Sequence, residues 1–234
     1  MKRGAKRFYK TVAVRQDPGA FAILLDGKAV RTPAGHGLVV PTSTIADAMA
    51  EEWRGQGDFI DPEAMPATRY ANTVIDRVAP RRDEVIDDLA KYAGHDLLCY
   101  REATTTQLMQ RQAAAWDPWL AWAADRFGAD LVVGQGVGHI EQPAEALASL
   151  RAAIAALDSH RLALLHTAIT ITGSAVLGLA FVSRALSARE AFDAAHVDEL
   201  FQEERWGVDE EAQQARARKL AELKAGEAYL ALLP

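Results

Sequence analysis

Hydrophobic and polar positions alternate roughly every two residues from Phe8 to Arg15, the period of a half-buried strand. A turn at Asp17-Pro18-Gly19 leads into the apolar run Ala20 to Leu25, a second strand. Asp26-Gly27 then predicts a two-residue hairpin turn, and the chain returns through Lys28 to Thr32. Leu38 to Val40 closes the set. Beyond it the period lengthens. Pro41-Thr42-Ser43 caps a helix over about 44–54, in which Ile45, Met49 and Trp53 recur every four residues. The proline-bearing stretch 58–72 predicts irregular chain, and the pattern over 73–78 leaves the element type open.

From Pro80 onward the pattern is helical throughout. Val85, Ile86, Leu89 and Tyr92 share one face of a helix over 81–93 that Gly94 ends. A helix over 106–127 contains Asp117-Pro118, and that proline predicts a kink or a fresh start. An amphipathic helix over 143–157 precedes Leu162 to Val182, 21 residues without a formal charge. All-round apolarity fits a buried central helix and also a membrane span. The polar and small residues His166, Thr167, Thr170, Thr172, Gly173, Ser174 and Gly178, with amphipathic helices on either side, favour the buried helix. Ser187-x-x-Glu190 is a capping box, and a last helix covers about 210–230. The change of period near residue 80 predicts an α+β chain, with an N-terminal α/β domain carrying the hairpin at 1–80 and an all-α domain at 81–234. There is no internal repeat.

Composition sharpens this picture in two ways. The 234 residues hold one cysteine, which excludes an intramolecular disulfide framework and fits a reducing compartment. The net charge of -6 argues against nucleic acid as a main partner, which a basic face would serve. The charge is also uneven, +2 over residues 1–80 and -8 over 81–234. Its sharpest run, Glu190 to Glu211, carries nine acids and one base, Arg205. The first ten residues carry five positive charges but no apolar segment follows, so they do not read as a secretory signal.

Candidate chemistry is sparse. Gly134-x-Gly136-x-Gly138 follows Leu131-Val132-Val133 as a dinucleotide loop would, and a nucleotide-binding enzyme is the alternative function it suggests. His139 stands where that fingerprint needs a small residue, and no βαβ series surrounds it, so a flexible connector is the preferred reading. Gly173-Ser174 lacks the flanking glycine spacing of a nucleophile elbow; Gly173, Ser174 and Gly178 read as close helix packing. His95-Asp96 and His196-x-x-Glu199 are two-ligand pairs without a second pair, so no metal or other cofactor is expected. Cys99 reads as a small core residue. Trp116, Trp119 and Trp122 form either a core seam or an apolar contact surface. In the acidic run, Leu200 and Phe201 are expected to face the core, and Glu199 and Glu203, four apart, to share one exposed face. That face reads either as solvated or as a docking surface for a basic partner.

Several stretches resemble one known family along nearly the whole chain. They are Arg7-Phe8-Tyr9-Lys10, Leu25-Asp26-Gly27-Lys28, Arg31-Thr32-Pro33, Val40-Pro41-Thr42, Glu52-Trp53 with Gln56, Met65-Pro66, Ala71-Asn72-Thr73 and Ile75-Asp76. The helical half adds Tyr92, Asp96 to Arg101, Gln112, Trp116-Asp117-Pro118, Gly173-Ser174, Asp198-Glu199, Gln202 and Trp206-Gly207. In this order they resemble the assembly chaperones of the F-type ATP synthase catalytic head that bind its alpha subunit, in mitochondria and alpha-proteobacteria. The resemblance implies a small N-terminal α/β part and a C-terminal orthogonal helix bundle. It implies no catalysis, ATP use or metal. It implies binding to the free alpha subunit until the beta subunit replaces the chaperone, with the family's acidic position falling on Glu199. Asp198, Gln202, Glu203, Trp206 and Asp209 complete the expected partner-binding set. Without an extended leader the chain is expected to be bacterial and cytoplasmic, a monomer, and free of stable membrane insertion.

Overall fold

A computed structural model describes residues 5–136 and 138–234. The chain divides into two units, one running to Arg82 and taking in Ala228–Pro234, the other Asp83–Glu227.

In the first unit, β1 (Val12–Asp17) pairs antiparallel with β2 (Ala20–Leu25) over its full length, Val12 opposite Leu25 and Asp17 opposite Ala20. β3 (Lys28–Ala29) pairs with the Leu24-Leu25 end of β2, and β4 (Val39–Val40) with Phe21-Ala22. Asp26 and Gly27 both have positive φ, +47° and +77°, the geometry in which a two-residue turn matches strand twist. Asp26 tolerates it because its carboxylate accepts hydrogen bonds from the Thr11 N–H at 2.8 Å and the Thr11 hydroxyl at 2.9 Å. The helix α1 (Ser43–Arg54) starts where Thr42 accepts from the Ile45 N–H, and buries Ile45, Ala46, Met49 and Ala50 against β1 and β2. The expected strands at Phe8–Arg15 and Lys28–Thr32 are therefore shifted and shortened respectively.

The stretch 58–72, expected to be irregular, instead holds all but the last residue of α2 (Pro66–Thr73). Its start carries no capping side chain of its own. The cap comes from Glu52 on α1, whose carboxylate accepts from the Ala67 N–H at 2.6 Å and from the Thr68 N–H and hydroxyl at 2.8 Å. Residues Val74–Val78 continue as a π-helical turn, which settles the element left open. That turn presents Asp76 to Thr32 Oγ1 at 2.6 Å, the Ala34 N–H at 3.0 Å and His36 Nδ1 at 2.9 Å, tying down the loop before β4. At the other end of the sequence Tyr229 is buried and stacks on Tyr70, centroids 5.0 Å apart, with Leu230 and Leu233 also buried. The last seven residues thus belong with the first unit, although their helical pattern grouped them with the second.

The second unit opens with α3 (Arg82–Lys91), whose first two residues' boundary falls at the unit edge. Two-residue strands β5 (Tyr100–Arg101) and β6 (Gly134–Gln135) pair in parallel. Helix α4 (Thr106–Phe127) runs through Pro118 without restarting. Pro118 and Ala114, whose carbonyl it leaves without a helical partner, both lie on the exposed face, where water can satisfy that oxygen. α5 (Ala144–Ala155) follows.

The apolar segment is two helices rather than one. α6 (Ser159–Thr172) ends at Gly173, in the left-handed region with φ +68°, and Ser174 caps α7 (Ala175–Val182) by accepting from the Leu177 N–H. A glycine that ends a helix and a serine that begins the next is ordinary punctuation. The close-packing expectation fails for this pair and holds for Gly178, where a Cβ would sit 2.8 Å from Ile169 Cγ1 and 2.9 Å from Leu165 Cδ1. Gly178→Ala would gain up to about 1 kcal/mol in helix propensity but cost about 1–3 kcal/mol in forced repacking. A net loss is expected by urea denaturation; a more stable variant would show that α6 yields freely. All eight residues of α7 are buried. Its Val176, Leu177 and Ala180 pack with Leu98, Trp116, Ala123, Leu186, Ala191 and Ala194 as the core. No helix among the described residues is long and apolar enough to cross a membrane. Cys99 is a buried free thiol, pushed up to about 12 by its burial.

Candidate functional site

The acidic run spans α8 (Ala188–Ala195), α9 (Val197–Trp206) and the start of α10 (Glu210–Ala231). The Ser187 and Glu190 side chains form the expected capping box at α8. His196 separates α8 from α9. It is buried, stacks on the Phe192 ring at 4.1 Å and places Nδ1 2.8 Å from the Phe192 carbonyl. Burial lowers its pKa, which favours the neutral ring.

Polar clamps hold α9 against α4. Asp198 Oδ1 accepts from Gln112 Nε2 at 2.8 Å, and burial raises the Asp198 pKa while that hydrogen bond opposes the shift. Arg111 forms a two-pronged pair with Glu204 at 2.9 and 2.7 Å, which holds the Glu204 carboxyl below its usual range. The guanidinium groups of Arg111 and Arg205 lie 5.1 and 4.5 Å from the centroid of the buried Phe201 ring. Arg205 also reaches Gln107 Oε1 at 3.3 Å, so the one base in the run turns toward α4.

These clamps divide the six expected partner-binding residues. Asp198 is held by Gln112. Glu203 pairs with Arg216 of α10, and both side chains are largely buried. The expectation that Glu199 and Glu203 share an exposed face is therefore corrected: an arginine 13 positions along the chain draws Glu203 inward. Asp209 caps α10, its Oδ1 accepting from the Glu211 N–H at 2.9 Å and the Ala212 N–H at 3.2 Å. Glu199, Gln202 and Trp206 are exposed, and Trp206 is 77% accessible. Their spacing of i, i+3 and i+7 puts them in one stripe along α9. Val208, 58% exposed just past the helix, is not legible in the sequence, because a lone valine after a glycine carries no pattern.

The other candidates place as follows. Trp116 is buried, its Nε1 donating to the Ala194 carbonyl at 2.7 Å, while Trp119 and Trp122 are partly buried against the same core. Gly134 lies in β6, where Ile140 fills the space a Cβ would need, 2.8 Å away. The next helix in the chain begins only at Ala144, so it does not open directly from the glycine loop as the dinucleotide fingerprint requires. Val137 within the loop lies outside the described residues, as do the first four residues of the basic N-terminal stretch. His95 is exposed, with the His139 ring at 5.3 Å, while Asp96 points into the core. Among the described residues no three His, Cys, Asp or Glu side chains converge as metal ligands would.

The model of the ATP12 chaperone protein family matches residues 6–124. The chain belongs to this family. Likeness beyond the matched residues comes from solved structures of ATP12 proteins. Atp12 from Paracoccus denitrificans, an alpha-proteobacterium, is 42% identical, with a TM-score of 0.94 over 97% of this chain and 98% of that one. An aspartate-to-lysine mutant of P. denitrificans Atp12p is 41% identical, with a TM-score of 0.94 over 97% of both chains. Protein atp12, mitochondrial, of Schizosaccharomyces pombe is 24% identical over 237 residues, 96% of this chain and 81% of that protein. ATP12 proteins are chaperones involved in ATP synthase assembly. The matched residues of the family model end within α4, so the α9 stripe rests on the full-length structural likeness.

Proposed function

We propose that this ATP12 protein binds the free alpha subunit of the F-type ATP synthase and shields its subunit-facing surface until the beta subunit takes its place. The reading rests on the full-length likeness to Atp12 of P. denitrificans. It has a physical logic. An unassembled subunit exposes an apolar interface that invites aggregation, and a chaperone that must later leave needs specificity without extreme affinity. Charge complementarity supplies that, and Glu199 is the carboxylate on the outer face of α9 that no described hydrogen bond engages. The function is binding, with no chemical step.

Co-purification from cells tests the partner, and recovery of the alpha subunit is expected. If no ATP synthase subunit is recovered, and assembly is normal after deletion, the proposal fails. Glu199→Lys is expected to weaken alpha-subunit binding at least tenfold, about 1.4 kcal/mol, without moving the thermal midpoint. Unchanged binding would remove α9 from the interface.

A further inference from the structure

Three features of the α9 stripe specify what chemistry can cover it. The first is a large apolar surface in water. Trp206 is 77% exposed and Val208 58% exposed, two positions apart at the end of a helix whose other aromatic side chain, Phe201, is buried. The second is charge. Nine acids and one base occupy Glu190 to Glu211, and that base is turned toward α4 over Phe201. Glu199 stands two turns from Trp206 on the same stripe, and Glu210 and Glu211 are exposed just beyond Val208. The third is the helix end itself. Trp206 is the last residue of α9, where carbonyl oxygens give the terminus partial negative charge. The neighbouring acids Asp198, Glu203 and Glu204 are already held by Gln112, Arg216 and Arg111, so a partner meets them only by breaking those bonds.

We infer that α9 and Val208 receive a basic amphipathic segment of the partner, which seats an apolar side chain on Trp206 and Val208 and a lysine or arginine on Glu199. This rests on the docking role proposed above and adds the chemistry of the docked segment. An exposed indole supplies rigid contact area, and its face also attracts cations. The surrounding acids repel anionic membranes and nucleic acids, the other partners that an exposed tryptophan serves. The stripe thus carries an apolar anchor with its charged rim, the arrangement of a binding hot spot.

The test uses the full chain and three short helical peptides with leucine on one face and lysine, glutamine or glutamate on the other. The lysine peptide is expected to bind most tightly and the glutamate peptide least. Trp206→Ala is expected to weaken the lysine peptide at least tenfold, Trp206→Phe much less, and Glu199→Gln severalfold with a reduced dependence on salt. The side chains are exposed, so thermal midpoints should match the parent and any loss reads as binding. Equal binding of the three peptides, or no effect of Trp206→Ala, overturns the inference. So does tighter Trp206-dependent binding to anionic lipid vesicles than to the lysine peptide. The same variants titrated with purified alpha subunit separate the two claims. If the parent binds alpha and Trp206→Ala binds equally well, the inference falls and the alpha-subunit reading stands. If the parent ignores alpha yet the peptides behave as expected, the alpha-subunit reading falls and the inference stands.

Discussion

Trp116→Ala is expected to destabilise the helical unit by about 3–5 kcal/mol, the range for removing a large buried aromatic side chain. The residue is 1% exposed and packs in the core with Leu98, Val176, Leu177 and Ala194. Its Nε1 donates to the Ala194 carbonyl on α8 at 2.7 Å, and the Arg101 guanidinium lies 5.1 Å from its ring centroid. Truncation would leave a cavity, an unpaired carbonyl and an arginine without its ring. Trp116→Phe keeps part of the apolar volume and loses the hydrogen bond, so a smaller loss of about 1–3 kcal/mol is expected. Urea denaturation followed by circular dichroism measures both. A loss below about 1 kcal/mol for the alanine variant would mean that α4 and α8 close the gap cheaply.

Asp96→Ala should rank next, with a loss of about 3 kcal/mol from several stranded donors. The Asp96 carboxylate is wholly buried and accepts from the Leu98 N–H at 3.1 Å and the Val176 N–H at 3.0 Å, with Ser174 and Ala175 also bonded to it. It therefore joins the turn before β5 to the break between α6 and α7. Burial is the larger influence on its pKa, raising it from 3.8 to about 6, while those hydrogen bonds pull the other way. A raised pKa in the folded state means that folding favours the protonated form. The stabilisation is complete below pH 4 and is lost as the pH rises through about 6, by up to about 3 kcal/mol. Asp96→Asn does not titrate. The stability difference between parent and Asn variant should thus shift against the parent between pH 4 and pH 7, and a difference flat with pH would contradict the shift.

The parts of this fold legible in the sequence are those in which a residue's own neighbours decide its state. Asp26-Gly27 carries its turn in two side chains, and Ser187 with Glu190 carries its cap in four residues. The α+β class followed from the change of period alone. The parts that were missed depend on distant partners. α2 was hidden because its cap, Glu52, sits on another helix. Helical spacing alone puts Glu203 on the surface, because nothing local shows that Arg216 reaches it. Hydropathy makes the apolar segment one helix because it does not register a left-handed Gly173, although Gly173-Ser174 spells a stop followed by a start. At the candidate site the same distinction applies. The stripe of Glu199, Gln202 and Trp206 follows from helical spacing. Its separation from Asp198, Glu203 and Asp209 required the hydrogen bonds.

The placement of Ala228–Pro234 in the first unit bears on how a ribosome delivers this protein. Tyr70 and Tyr229 stack across about 160 residues of chain, on the order of 10–30 s of synthesis at roughly 5–20 residues per second. During that interval the hairpin and α1 emerge without the side chains that complete their unit. The second unit, by contrast, has all of its sequence by Glu227. An ATP12 chaperone of this design therefore closes its first unit only once Ala228–Pro234 has been made, long after the hairpin and α1 have left the ribosome.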